Sequence, residues 1–418
     1  MGTCGVSRFC LFFWLQSKKL GHSVPAGGQW RIPRSRLMRV QQVILKTDDD
    51  WGTLEALRAM DPDGVLVFGS VSWFEHGGLH SALRERFPRA RLLGCSTAGE
   101  ISREGVSSGA CVITALKFDA TRLQCITLPV PRMEDSFPAG QGLGRALAAP
   151  DLQAVLVYGP GVAINGSALV AGLTQGLGRA VPITGGLAGD DGAFVRTWVL
   201  GDEGVSDRNA VALGLYGSRL LLGHGSYGGW LPFGPARRVT RVQGNVLQEL
   251  DGEPALTIYK RYLGDHAKDL PASGLLFPFL MEEADTGGRG LIRTILGVDE
   301  VSGSLILAGE VPQGAQLKLM QASTDRLIDG AEHAAEAALA LAPPADVLAI
   351  LVSCVGRRLV MGSRVDDEVE AVGDVLGARP VLTGFYSNGE ICPLGEEGPC
   401  HLHNQTMTIT TMGEALEI

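Results

Sequence analysis

Gly384-Phe385-Tyr386-Ser387-Asn388-Gly389-Glu390-Ile391 follows the apolar run Pro380-Val381-Leu382-Thr383, and two earlier stretches share its character. Residues 94–101 read Gly-Cys-Ser-Thr-Ala-Gly-Glu-Ile, and residues 185–191 read Gly-Gly-Leu-Ala-Gly-Asp-Asp. Each is a small-residue turn ending in an acid. Glycine reaches positive φ at little cost, so such a turn can reverse sharply and bring backbone close to a ligand. The same order lies upstream each time: apolar strand, helix, apolar strand. Strands at 65–69, 154–159 and 347–354 precede the turns by similar lengths of chain. The intervening helices carry Leu79, Leu83 and Phe87, then Leu169, Leu173 and Leu177, then Val369, Val372 and Leu376 at helical spacing. Continuous apolar strands imply burial on both faces. Ligands collect beyond the carboxyl ends of such strands, where all three turns fall.

Two pairs of β-rich runs, 110–118 with 122–128 and 210–216 with 219–224, read as hairpins, the second closed by Gly217-Ser218. The predicted fold is therefore mixed α/β: repeated strand-helix-strand units with added antiparallel hairpins, in mixed sheets flanked by helices. Between 239 and 263 the pattern changes. Residues 254–263 read as a helix opened by Pro254 and ended by Gly264, and strands at 291–296, 304–308 and 316–321 follow. A helix at 328–341 opens the third unit. A boundary near 240 divides the chain into 38–240 and 241–418.

A chain of 418 residues, 45% hydrophobic and 19% charged, holds two or three domains with sizeable cores. No run approaches the roughly 18–20 apolar residues of a spanning helix, so no membrane association is expected. The first 39 residues hold seven Lys or Arg and no acid, which leaves a strongly acidic body. That balance argues against nucleic acid as a partner, since such binding neutralises phosphates with Lys and Arg. Residues 1–37 read as a disordered basic extension or a mis-assigned start, because Met38 stands directly before the first ordered-looking run. Asp48-Asp49-Asp50 supplies N-cap candidates for the first helix. Eight Cys without regular spacing form no disulfide framework, and a cytoplasmic location is expected.

The turns offer backbone N–H groups and the carboxylates Glu100, Asp190, Asp191 and Glu390 to a polar ligand, with Arg357 as a clamp for a ligand carboxylate. Cys95, Ser96, Cys354, Tyr386, Asn388, His403 and Asn404 complete the candidate ligand-binding set. The competing reading has the acids bonding backbone within their own turns. His224, in Gly223-His224-Gly225-Ser226, is a candidate axial ligand for haem, against a hairpin-end histidine that only hydrogen-bonds. Cys392, Cys400, His401 and His403 match no common zinc spacing, so no metal is expected. An enzyme would use Cys354 as nucleophile, His403 as base and Glu390 as orienter. Cys354 ends a buried-looking strand and nothing local lowers its thiol pKa, so the chain is expected not to be an enzyme.

Cys95-Ser96-Thr97-Ala98-Gly99-Glu100, the 185–191 turn, Leu250-Asp251-Gly252-Glu253-Pro254-Ala255-Leu256, Ser353-Cys354-Val355-Gly356-Arg357, residues 384–390 and His403-Asn404-Gln405-Thr406, in this order, resemble the FIST family over residues 40–415. The resemblance implies an N-terminal and a C-terminal FIST region. It also implies a cytoplasmic sensory protein of signal transduction that binds small molecules such as amino acids. Eukaryotic members carry an F-box ahead of this region, and the 39 residues here are too few and patternless for one. Some bacterial members, the NosP-type branch, are haem proteins that sense nitric oxide and regulate a histidine kinase or cyclic-di-GMP enzyme. With no kinase or output segment of its own, this chain would act on a separate partner. No Cys-x-x-Cys-His signal is present, so any haem would be non-covalent.

Overall fold

Three stretches of near-continuous burial, Gly64–Gly69, Leu152–Gly159 and Leu348–Cys354, each sit inside a six-stranded sheet of the same plan. The structure, a computed structural model, describes residues 38–47, 50–282, 290–341, 348–395 and 398–416. The basic extension 1–37 and the expected cap residues Asp48 and Asp49 lie outside the described residues. Asp50 accepts hydrogen bonds from the N–H groups of Lys46 and Thr47 at 2.8 and 3.0 Å.

Each buried strand pairs in parallel with the strand that follows its helix: Arg91–Ser96, Ile183–Leu187 and Val381–Ser387. On its other side it pairs antiparallel with Cys111–Lys117, Asn209–Tyr216 and Met407–Glu414. Outer strands Arg39–Leu45, Arg122–Pro129 and Leu220–Tyr227 complete that half of each sheet. The other edge comes from a neighbouring unit. The hairpin Glu100–Ser102/Gly105–Ser107 joins the third sheet, Val199–Gly201/Gly204–Ser206 joins the first, and Gly389–Pro393/Cys400–His403 joins the second. The three units thus exchange hairpins in a cycle.

The two expected hairpins are corrected. Cys111–Lys117 and Arg122–Pro129 lie in different sheets, as do Asn209–Tyr216 and Leu220–Tyr227. Leu116, Phe118, Leu123, Leu213, Leu215 and Leu220 all enter one core enclosed by the three sheets, so each short link carries the chain around that core. At its centre the rings of Phe68, Tyr158 and Phe385 lie 4.9–5.6 Å apart. Such aromatic contacts add to the stabilisation that area burial gives. Helices cover the outer faces. Ser136–Leu147 and Gly166–Leu177 pack at backbone contact: a Cβ on Gly140, Gly144, Gly172 or Gly176 would fall 2.1–2.4 Å from a carbonyl oxygen of the other helix.

Residues between the second and third units build a fourth, antiparallel sheet of eight strands around Leu231–Gln243, filled by the helix Ala255–Leu263. The mixed α/β expectation stands. Among the described residues no helix is long and apolar enough to cross a membrane.

The glycines that open the three quoted stretches are not turn glycines. Gly94, Gly185 and Gly384 lie inside parallel strands, opposite Val67, Val157 and Leu351. A Cβ on any of them would fall 1.9–2.0 Å from the carbonyl oxygen of that opposite residue. Close approach of two backbones is what selects glycine there.

Candidate functional site

Beyond the strand ends the three turns are stapled to one another. Ala98 N donates to Tyr386 O and Tyr386 N to Gly99 O, both at 2.8 Å; Gly189 N donates to Ser96 O at 2.9 Å and Asn388 N to Leu187 O at 3.1 Å. Every turn therefore bonds both others. Ser96 seals the ring, its Oγ donating to Gly189 O at 2.8 Å and accepting from Trp198 N at 2.9 Å. It is spent on structure.

Pairing register separates the acids. Glu100 stands opposite Phe385 and Glu390 opposite Gly186, whereas the equivalent place opposite Cys95 holds Val199. The middle turn thus has no counterpart, and Asp190 and Asp191 belong to an insert ahead of Val199. Glu100 accepts from Thr97 Oγ1 at 2.5 Å, Ser107 Oγ at 3.2 Å and Ala110 N at 3.1 Å. Glu390 repeats the arrangement with Ser387 Oγ at 2.8 Å, Thr406 Oγ1 at 2.9 Å and Thr406 N at 3.1 Å. Burial raises both carboxyls to about 7. Asp190 accepts from the N–H groups of Phe194, Val195 and Arg196 at 2.7–3.1 Å. These three acids hold their own surroundings, which corrects their assignment to a ligand. Asp191 differs: its side chain is 56% exposed and pairs with Arg358 at 3.0 Å.

Arg357 is corrected as well. It is fully buried, bonding Glu368 Oε2 at 2.7 Å, Gly228 O at 2.6 Å and Leu327 O at 2.8 Å. Ser353 Oγ donates to Glu368 at 2.9 Å, and the Tyr386 hydroxyl donates to it too, so Tyr386 faces inward. The arginine on the turn face is the next one. Arg358 bonds the Ala98 carbonyl, Asp191 at 3.0 Å and Ser108 Oγ at 2.6 Å, with its guanidinium 6.0 Å from the Tyr386 ring centre. One residue along a helix turns a side chain by about 100°, so adjacent arginines face different surroundings. Sequence reading also missed Glu368. Its signal was present: Glu368, Val372 and Leu376 recur at i, i+4, i+8, which sets an acid on an apolar stripe.

Cys95 and Cys354 are buried, and burial pushes both thiols well above their ordinary range. His403 Nε2 bonds Cys392 O at 2.9 Å, and burial lowers its imidazole to about 4. With Glu390 bonded to Ser387 and Thr406, the nucleophile-base-orienter arrangement is not assembled. Among the described residues no group of three or more His, Cys, Asp or Glu is placed to hold a metal ion.

What the turn face leaves open is a set of amide oxygens. Asn388 Oδ1, Asn404 Oδ1 and Gln405 Oε1 are buried and have no hydrogen-bond partner among the described residues. All three lie at one end of the hairpin Gly389–Pro393/Cys400–His403, whose register pairs Glu390 with His403. Backbone strain gathers on the same face. Ala163, Asp191, Phe194 and Gln405 have φ of 59°, 56°, 54° and 60°, conformations costing on the order of 1 kcal/mol for residues with a Cβ. Gln405 was not singled out from the sequence, because nothing local marks a positive φ or an unpaired amide.

His224, singled out for haem, lies elsewhere, on the outer strand Leu220–Tyr227. It is 6% exposed and lines a cavity of about 740 Å³ beside Pro393 and Cys400, at the opposite end of that same hairpin. Burial holds its imidazole pKa below the ordinary value.

Three sheets that exchange hairpins around stapled turns define a mixed α/β scaffold of threefold plan, with the amide oxygens of Asn388, Asn404 and Gln405 left without partners at one end of the third unit's hairpin. The chain belongs to the FIST family: residues 63–253 match the FIST N domain and residues 255–393 the FIST C domain. Domains of this family are sensory and bind small molecules. An uncharacterized protein of Mycobacterium tuberculosis strain H37Rv is 30% identical over 212 residues, 49% of this chain and 55% of the relative. The chain thus spans about half the length of that relative. An uncharacterized Mycobacterium bovis protein is 26% identical over 315 residues, 72% of this chain and 71% of its own length. Among solved structures, a cyanuric acid hydrolase from A. caulinodans aligns over 91% of this chain and 99% of its own, at 13% identity and a TM-score of 0.37. A second cyanuric acid hydrolase aligns over 91% and 100%, at 12% identity and a TM-score of 0.35. These neighbours are named as enzymes, so the expectation that the chain is not an enzyme is withdrawn. At these TM-scores the likeness carries no activity across.

Proposed function

We propose that this chain is a sensor whose turn face binds an amino acid or a related ammonium-bearing metabolite, and that it signals through a separate partner protein. The observation that supports this reading is the trio of partnerless amide oxygens on Asn388, Asn404 and Gln405. A buried acceptor left without a donor costs roughly 1–3 kcal/mol, which a donating ligand returns. An ammonium group supplies three N–H donors to match them. Arg358 receives the ligand carboxylate. Its present pair with Asp191 is 23% and 56% exposed, the kind of ion pair worth little, so a bidentate carboxylate can replace Asp191. Release of Asp191 alters the insert it opens, which carries Phe194 and Val195; these are 37% and 77% exposed and offer the partner an apolar surface.

A thermal-shift screen of amino acids and their decarboxylated amines tests the reading, because a ligand that binds the native state raises its midpoint. Zwitterions are expected to raise the midpoint more than the amines, and Arg358→Met to remove that difference. Asn388→Ala and Gln405→Ala are expected to abolish the rise. If no amino acid or amine moves the midpoint, or if both alanine variants respond like the parent, the reading fails.

A further inference from the structure

The row of strand Leu220–Tyr227 that faces the common core reads Leu220, Leu222, His224, since side chains alternate along a strand. The flanking glycines are pressed against helix Thr324–Leu341: a Cβ on Gly223 or Gly225 would fall 2.1 Å from the carbonyl oxygen of Ala338 or Ala334. The apolar part of that row thus gives way to His224, with Ser226 beyond it. The histidine makes no hydrogen bond among the described residues, although it is more than nine-tenths buried.

The cavity it lines, about 740 Å³, is of the size that holds small molecules. Its walls include Val181, Pro182, Pro393 and Pro399, whose C–H surfaces suit a flat ring. Among the described residues, the other polar side chains there each have a hydrogen-bond partner. Cys400 Sγ donates to Ile183 O at 3.1 Å, Thr174 Oγ1 donates to Val170 O at 2.9 Å, and Arg179 bonds the carbonyls of Leu152 and Ala149. Among the described residues, the imidazole is the lining polar side chain without a hydrogen-bond partner. Burial favours its neutral form, which has one ring nitrogen as acceptor and the other as donor.

We propose that this cavity is a second binding site, separate from the turn face, for an aromatic small molecule whose ring-borne O–H or N–H donates to His224. The ring fills the proline-lined wall, and the single donor supplies selectivity. A site built to hydrogen-bond one group rejects an analogue that lacks it, because its own polar atom is then left unpaired.

Titration calorimetry of the full chain with 1-naphthol and its methyl ether, which has the same rings and no donor, tests the proposal. 1-Naphthol is expected to bind at least about tenfold more tightly, a difference of about 1.4 kcal/mol. That advantage is expected to vanish in His224→Phe and to persist in His224→Gln, which keeps an acceptor. Val181→Trp is expected to block both probes, with circular dichroism confirming that every variant is folded. Equal binding of the two probes overturns the proposal, as does an advantage that survives His224→Phe, or failure of the folded chain to bind either. A haemin titration provides the remaining check: a Soret band that disappears in His224→Phe assigns the cavity to a porphyrin and overturns the aromatic donor class. The amino-acid response of the turn face is expected to be intact in Val181→Trp, so the two sites stand or fall separately.

Discussion

Glu100 and Glu390 keep their protons in the folded chain up to about pH 7, while a carboxyl in the unfolded chain releases its proton near 4.5. Between those values the folded state binds more protons, so each group makes stability fall as pH rises from about 4.5 to about 7. Below that window both states are protonated, and above it the loss is complete. For each group it amounts to up to roughly 3 kcal/mol. His403, lowered from 6.5 to about 4, acts in the opposite sense between those values, so a variant compared with its parent isolates one carboxyl. Glu390→Gln copies the protonated acid, its amide oxygen accepting from Thr406 and its NH₂ donating to Ser387. Urea unfolding at pH 4.5, 6, 7 and 8 is expected to show little difference from the parent at pH 4.5. The difference in the variant's favour should then grow up to about pH 7 and level off. A constant difference would contradict this placement of the proton. Gly384 is a second single-residue test. Gly384→Ala drives a Cβ to 1.9 Å from Leu351 O, and a loss above about 3 kcal/mol is expected by the same method. The glycine was plain in the sequence. Its reason was not, because the carbonyl it avoids lies more than thirty residues back and only the parallel register brings it close.

Among the elements, the short helix Val355–Met361 and the helix Val365–Leu376 are joined to the third turn through one buried ion pair. Glu368 takes Arg357, Ser353 and Tyr386, and Arg357 reaches on to Gly228 and Leu327. Removing one partner of a buried pair leaves an uncompensated charge and costs about 3–5 kcal/mol, whereas replacing both with apolar groups can be neutral. Arg357→Leu is therefore expected to lower stability by that amount, and Arg357→Leu with Glu368→Leu to recover most of it. A double-mutant cycle checks this, and additive losses would rule out the coupling. The helix Val365–Leu376 was legible from the apolar spacing of Val369, Val372 and Leu376, whereas the short helix Val355–Met361 was not read from the sequence. The ion pair was not, because helical periodicity reports which face is buried and not what a charge on that face meets.

For the molecule as a whole, the repeat could be read because strand, helix and strand are local patterns, but the cyclic exchange of hairpins could not. Phe385 finds Glu100, and His224 finds Thr410, across hundreds of residues that carry no local mark of the pairing. The exchange has a consequence for the two family regions, whose matches meet at residues 253 and 255, within the fourth sheet. A fragment of residues 38–240 retains all six strands of the first sheet. It leaves the second sheet without Gly389–Pro393 and Cys400–His403. It also strands Leu220–Tyr227 and Glu100–Ser102 without the third-sheet partners that cover them. Leu348, Ile350, Val352, Phe385 and Met412 are removed from the common core at the same time, which turns its inner face toward water. Unpaired strand edges beside exposed apolar surface favour association over folding. The fragment alone is therefore expected to aggregate or to lack a cooperative thermal transition by near-ultraviolet circular dichroism. Co-expression with residues 241–418 should return both pieces in one complex with the parent spectrum, because every missing ladder is then supplied. A monodisperse 38–240 fragment that melts cooperatively on its own would show that the hairpin exchange is dispensable to the first two units.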